Sequence, residues 1–206
     1  MEEKSNDKWI PIIEAIDQLN SCETIDHLER VGIYAKLLAQ RMNCSSEFIE
    51  SLEKYSCLHD IGKIGIDRDI LEAPRKITDI EFSYVKEHVK IGHNIVVRLN
   101  LNKLAENIVL YHHEKWNGKG YPKGLKGEEI PLEARIVSIC DVYDALRQKR
   151  TYKPSFSHEE AKYIINKENG KEFDPTLVRI FNLCSEKFDE IFNEYQVNNG
   201  KMEETL

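Results

Sequence analysis

Apolar residues recur at intervals of three and four along almost the whole chain, interrupted at two stretches that carry glycine and proline. Trp9, Ile12, Ile13, Ile16 and Leu19 form one such face, and His27, Val31, Ala35 and Leu38 another. This period gives one buried stripe per helix, whereas a half-buried strand alternates at every second residue. Further helical stretches are expected over 45–58, 78–99, 103–113, 132–146, 157–167 and 175–195. Thr78 with Glu81, and Ser157 with Glu160, have the spacing of a capping box, and Pro175 suits a first helical turn capped by Asp174. The first interruption, 62–74, holds Gly62 and Gly65, with one short helical turn expected near Ile70. The second, 114–131, holds Gly118, Gly120, Gly124, Gly127, Pro122 and Pro131. So long a loop inside a helical domain is uncommon and usually functional. The chain is expected to form one all-α domain.

Charge and composition narrow the function. Among 206 residues, 29 basic and 36 acidic side chains leave a formal charge of −7. A field of that sign disfavours polymeric nucleic acid or an anionic membrane as the main partner, although a local basic cluster can still hold a small phosphate ligand. At 41% hydrophobic and 32% charged, the chain can bury a core and keep a solvated surface. No window approaches the ~20 apolar residues of a membrane-spanning helix, and the first eight residues are too polar for a signal peptide. Cys22, Cys44, Cys57, Cys140 and Cys184 are scattered and never spaced as CxxC. Reduced thiols in the cytoplasm are the expectation.

The histidines carry the chemical signal. His59-Asp60 closes an apolar helix, and His112-His113 closes another just before the glycine-rich loop. His27 follows Glu23 by one helical turn, His88 lies inside a helical stretch, and Asp141 interrupts an apolar run. Imidazole nitrogens with carboxylate oxygens suit Mn, Fe, Zn or Ni. Taken singly, each residue has a plainer reading: a histidine hydrogen-bonded in the core, an aspartate capping a helix, a chance His-His pair. Yet Asp60 and Asp141 have no obvious cationic neighbour in sequence to offset a buried charge.

Taken in order, the motifs are more specific. His59-Asp60-Ile61-Gly62-Lys63-Ile64-Gly65, the block from His112 to Pro122, and Leu125 to Pro131 resemble the HD-GYP family, a branch of the HD-domain metal-dependent phosphohydrolases. The resemblance continues through 134–137, 141–146, 150–153 and 170–175, and covers about 22–181. It implies a single HD-domain helical bundle over 22–195 with a Gly/Pro-rich GYP loop, a helical extension at 1–21 packed on it, and a frayed tail at 196–206. It also implies hydrolysis of cyclic di-GMP to linear pGpG, and onward to GMP, at a di- or trinuclear metal centre that activates hydroxide. The matching ligand positions are Glu23, His27, His59, Asp60, His88, His112, His113 and Asp141, with Asp60 bridging two ions and Glu23 serving a third. Iron or manganese heads the list of ions, with zinc and nickel after them. Glu23 also reads as a first-turn acid favoured by the helix dipole.

Lys63 would meet the substrate phosphate, and Arg150 and Lys153 match positions that hold the nucleotide's phosphates. Arg147 and Lys149 would add to that basic spot. The same cations would also suit a helix C-terminus, and Lys63 could equally be a solvated loop lysine. Tyr121 would stack or hydrogen-bond near a base, or anchor its loop, as would Trp116. Asp144 would contact substrate, orient a ligand, or form a local salt bridge. The chain departs from the family at Asp67, where proline is common, and at Ala73-Pro74-Arg75, where Lys-Pro-Gly is common. Neither change touches the matched ligands. A homodimer and a signalling-protein partner at the GYP loop are compatible with this reading. The competing readings are a phosphohydrolase for another cyclic dinucleotide and a non-catalytic nucleotide-binding module.

Overall fold

Helix α1 (Ile25–Arg41) runs through the middle of the bundle, burying Leu28, Val31, Tyr34, Ala35 and Leu38 along one stripe. It packs against α2 (Ser46–Tyr55), α7 (Leu132–Arg147) and α9 (Pro175–Glu203). The structure is a computed structural model that describes residues 25–148 and 155–203. The expected extension at 1–21, together with Glu23, Arg150 and Lys153, lies outside the described residues. Between α2 and α7 the chain forms 3-10 turns at Ser56–Leu58 and Ile61–Gly65, then α3 (Arg68–Leu71), α4 (Asp79–Val85), α5 (His88–Arg98) and α6 (Lys103–Tyr111). Helix α8 (His158–Lys167) packs against both α7 and α9. The described residues contain no strand, only the isolated bridges Asn117–Lys126 and Asn169–Phe173. The fold is all-α.

Aromatic packing sets the angle between the long helices. The Tyr34 ring stacks on Phe188 at 4.4 Å, and Tyr143 meets both edge-on at 5.5 and 5.2 Å. These rings tie α1, α7 and α9 together, each worth a few kcal/mol of apolar burial. A smaller cluster of Leu58, Ile61, Val96, Ala105 and Val109 fastens the 3-10 turns to α5 and α6.

Polar side chains begin the helices as their spacing predicts. The Thr78 hydroxyl accepts from the Glu81 N–H while Glu81 accepts from the Thr78 N–H, and Ser157 and Glu160 do the same. Two boundaries differ from expectation. The stretch 78–99 is not one helix: Lys86 and Glu87 form a turn whose N–H groups donate back to Phe82 and Tyr84. The two pieces also differ in burial: α4 buries no residue, whereas α5 buries His88, Val89, Gly92 and Val96. Helix α9 continues to Glu203, past Tyr195, where the expected helix ends.

Candidate metal centre and its cleft

The His59-Asp60 pair sits between two 3-10 turns rather than on a regular helix, so both side chains can point inward. Gly62 allows this placement: a Cβ there would lie 1.9 Å from the His88 carbonyl oxygen and 2.5 Å from the Gly92 nitrogen. Without a side chain, the turn lies directly on α5 and brings Asp60 against His88. Asp60 Oδ1 lies 3.0 Å from His88 Nε2 and 3.6 Å from His112 Nε2, and Oδ2 lies 3.3 Å from His59 Nε2. Donor atoms of Asp60, His88, His112 and His113 all fall within 4.8 Å of one another, as do those of His27, His59 and Asp141. His27 Nε2 and His59 Nε2 stand 3.6 and 3.8 Å from Asp141 Oδ1. Four helices and one turn thus converge on two adjoining clusters, and Asp60 faces both.

Hydrogen bonds on the far side of each ring set its orientation. His59 Nδ1–H donates to the Ser56 carbonyl at 2.8 Å, His88 to Val85 at 2.7 Å, and His112 to Ile108 at 3.0 Å. His27 Nδ1 meets Asp144 Oδ2 at 2.8 Å. With the proton held at Nδ1, each Nε2 presents a lone pair to the clusters, the arrangement a metal-binding imidazole needs. Asp60 Oδ1, His88 Nε2 and His112 Nε2 are buried without a hydrogen-bond partner. A buried unsatisfied polar atom costs about 1–3 kcal/mol, and divalent cations among these donors would satisfy all three. The residues present fit such ions.

The electrostatics favour the same state. Burial opposes ionisation of Asp60, but the Lys63 ammonium, 2.7 Å from Oδ2, and His59 outweigh it and hold the carboxyl well below the usual range. Burial, followed by the neighbouring His112, keeps His113 well below the ordinary imidazole value. The centre therefore offers an ionised carboxylate with a neutral imidazole as ligands.

Above the clusters lies a cleft of about 360 Å³, a size suited to a small molecule. Asp60, Lys63, His88, His113 and Asp141 lie on its polar side. Val142, Ala145, Leu146 and Phe156 form an apolar wall, and Phe82 and Tyr121 form an aromatic one. The Tyr121 ring lies 4.8 Å from that of His113, so this residue both anchors its loop and faces the cleft. Trp116 anchors the loop: its backbone N–H donates to the Glu172 carbonyl and its ring lies under Arg135.

Of the roles open to Asp144, the structure shows the salt bridge and the orienting contact rather than a substrate contact, and the expectation for Arg147 is corrected. Asp144 is fully buried, with its oxygens taken by Arg30 at 2.6 and 2.8 Å, by His27 and by Gln148. It orients His27 and does not reach the cleft. Arg147 does not join a basic spot: it turns inward to Asp189 at 2.6 Å and to the Tyr143 hydroxyl at 2.7 Å. Sequence reasoning also missed Arg30 and Glu114. Arg30 lies one turn after His27, and only its distant pairing with Asp144 reveals its role. Buried Glu114 directly follows the two histidines, and its carboxylate accepts the N–H groups of Lys123, Gly124 and Leu125. It folds the loop back so closely that a Cβ on Gly120 would lie 2.5 Å from the His113 carbonyl oxygen.

A helical bundle that gathers histidine and aspartate donors beneath a cleft defines a candidate metal-binding domain. A family model described as an HD domain matches residues 12–177. The chain belongs to the HD-domain family, and its 112–122 and 125–131 blocks place it in the HD-GYP branch. It is 40% identical over 199 residues to a cyclic di-GMP phosphodiesterase of Vibrio cholerae, covering 89% of this chain and 40% of that protein. It is 36% identical over 165 residues to the 3'3'-cGAMP-specific phosphodiesterase 2 of the same organism, covering 79% and 32%. The chain thus spans less than half the length of these two curated relatives. Its fold resembles a solved cyclic GMP-AMP specific phosphodiesterase from V. cholerae, with a TM-score of 0.63 at 21% identity over 87% of this chain and 48% of that one.

Proposed function

We propose that this chain is a metal-dependent phosphodiesterase that opens cyclic di-GMP to linear pGpG. The observation that carries the reading is Asp60, one buried carboxylate facing two histidine-rich clusters at the floor of a nucleotide-sized cleft. Asp60 with His88, His112 and His113 would hold one ion, and His27, His59 and Asp141 a second, with Asp60 shared. Glu23 is the residue proposed for a third. A donor set of nitrogen and oxygen without thiolate favours iron or manganese, with zinc and nickel as further fits. When bound, such ions would polarise the phosphoryl group and acidify a water nucleophile.

The chain's own residues do the rest. Asp60 stays ionised because Lys63 lies beside it, and the same ammonium faces the cleft, where it would attract a phosphate oxygen. The Nδ1 hydrogen bonds keep four imidazoles aimed inward. Tyr121, whose phenol is pushed up by burial and then by Asp60, remains a hydroxyl donor at the wall. Arg150 and Lys153 are proposed to hold the phosphates. Cys44, Cys140 and Cys184, which form no disulfide, support a reducing, cytoplasmic setting.

A second substrate has a specific observation behind it: the similarity to the 3'3'-cGAMP-specific relative. Incubating the metal-loaded protein with cyclic di-GMP and with 3'3'-cGAMP, and separating the products, tests both. Faster conversion of cyclic di-GMP is expected, and GMP in the products would register a second cut. Preference for the mixed dinucleotide would reassign the substrate; no product from either would leave a binding module.

A further inference from the structure

Lys86 sits at the turn between α4 and α5, half-buried beside the cleft. Its Nζ lies 4.7 Å from the centre of the Phe82 ring and 5.7 Å from that of Tyr121. Both rings line the cleft, and they meet edge-on at 6.3 Å. The neighbouring Glu87 is no partner for it, since that carboxylate pairs with Lys90 at 2.8 Å. Among the described residues, no carboxylate or carbonyl oxygen accepts a hydrogen bond from the Lys86 ammonium. Two nearby lysines, by contrast, have carboxylate partners: Lys63 with Asp60, and Lys115 with Glu172. Two ring faces attract an ammonium and hold it in place, but they leave its three N–H donors without strong acceptors. Water can serve them while the cleft is open, and a ligand that displaces the water must replace those bonds.

We infer that Lys86 is a substrate contact, donating from the aromatic corner of the cleft to an acceptor oxygen of the bound cyclic dinucleotide. The inference rests on the dinucleotide reading of the same site and adds a specificity-determining residue to it. Two oxygens of such a ligand have the required chemistry: O6 of a guanine lying against Phe82 and Tyr121, and a phosphate oxygen of the linkage that is not cleaved. They differ in consequence. Lysine donates to O6 and N7 of guanine, whereas adenine presents an amino donor in place of O6. A guanine contact discriminates between bases; a phosphate contact does not.

The test compares wild type, Lys86→Gln and Lys86→Arg, each with its metal content measured, in steady-state kinetics on cyclic di-GMP and in equilibrium binding of cyclic di-GMP and cyclic di-AMP. Loss of a charged hydrogen bond in Lys86→Gln should raise KM for cyclic di-GMP by roughly ten- to a hundredfold. The effect should fall on KM more than on kcat, with unchanged metal content, and Lys86→Arg should recover most of it. A loss of affinity confined to cyclic di-GMP identifies the guanine oxygen, and an equal loss for both ligands identifies the phosphate. An active wild type whose KM and affinities are untouched by Lys86→Gln overturns the contact alone. A wild type that neither binds nor cleaves either dinucleotide overturns the dinucleotide reading, and this contact with it.

Discussion

At the scale of single residues, the centre depends on charges buried far from water. Asp144 is held ionised because the Arg30 hydrogen bond, followed by that of His27, overcomes the burial that opposes its charge. Removing one member of a buried pair strands the other, at a cost of about 3–5 kcal/mol. Asp144→Ala should therefore lower the stability of the metal-free protein by about that amount in urea denaturation, besides releasing His27. A loss below about 1 kcal/mol would mean that water already reaches Arg30, as at an exposed pair. The residues that gather in the two clusters could be picked out in sequence by motif order: His59-Asp60, His112-His113, and the isolated His27, His88 and Asp141. Their supports could not. Arg30 and Asp144 are 114 residues apart, and the Nδ1 acceptors of His59, His88 and His112 are backbone carbonyls, which every residue carries.

At the scale of elements, the short pieces around the cleft are fixed by carboxylates rather than by apolar burial. Helix α4 shows this at its start, where Glu81 accepts from Arg75 and from the Thr78 N–H and hydroxyl. The Arg75 hydrogen bond, followed by those from Thr78, draws the Glu81 carboxyl down to about 2 from its ordinary 4.5. A group with a lowered folded value contributes fully above its unfolded value and loses that contribution as pH falls. The capping of α4 should thus persist to about pH 4.5 and fade towards pH 2, which an NMR titration of Glu81 would follow. An unshifted titration would remove the capping account.

The 114–131 loop is held in the same manner. In Glu114→Ala, three backbone N–H groups lose a charged acceptor worth about 1.5–3 kcal/mol when buried. Amide exchange at Lys123, Gly124 and Leu125 should accelerate by about tenfold or more; unchanged protection would place the loop's anchor elsewhere. The capping box of α4 was legible in sequence, since three-residue spacing defines it. The turn at Lys86 and Glu87 was not, because helical periodicity runs unbroken across it.

At the scale of the whole molecule, two cores have separate tasks. The aromatic core sets α1 against α7 and so brings His27 to Asp141, while the smaller cluster presses the 59–65 turn and α6 onto α5 and so brings Asp60 to His88 and His112. The fold class and the GYP loop could be read from periodicity and from glycine and proline placement; which helices cross, and therefore which histidines share a cluster, could not. Under the proposed function, these clusters hold the ions on which hydrolysis depends. The most direct measurement is anaerobic purification of wild type and Asp60→Ala, with metal per chain and turnover of cyclic di-GMP determined on the same samples. Wild type should carry two or more ions and lose turnover on chelation. Asp60→Ala should keep its helical circular dichroism, lose bound metal, and fall at least about a thousandfold in turnover, the several kcal/mol expected of metal-assisted phosphoryl chemistry. Turnover at the wild-type rate by chelated protein, or by Asp60→Ala, would contradict the account.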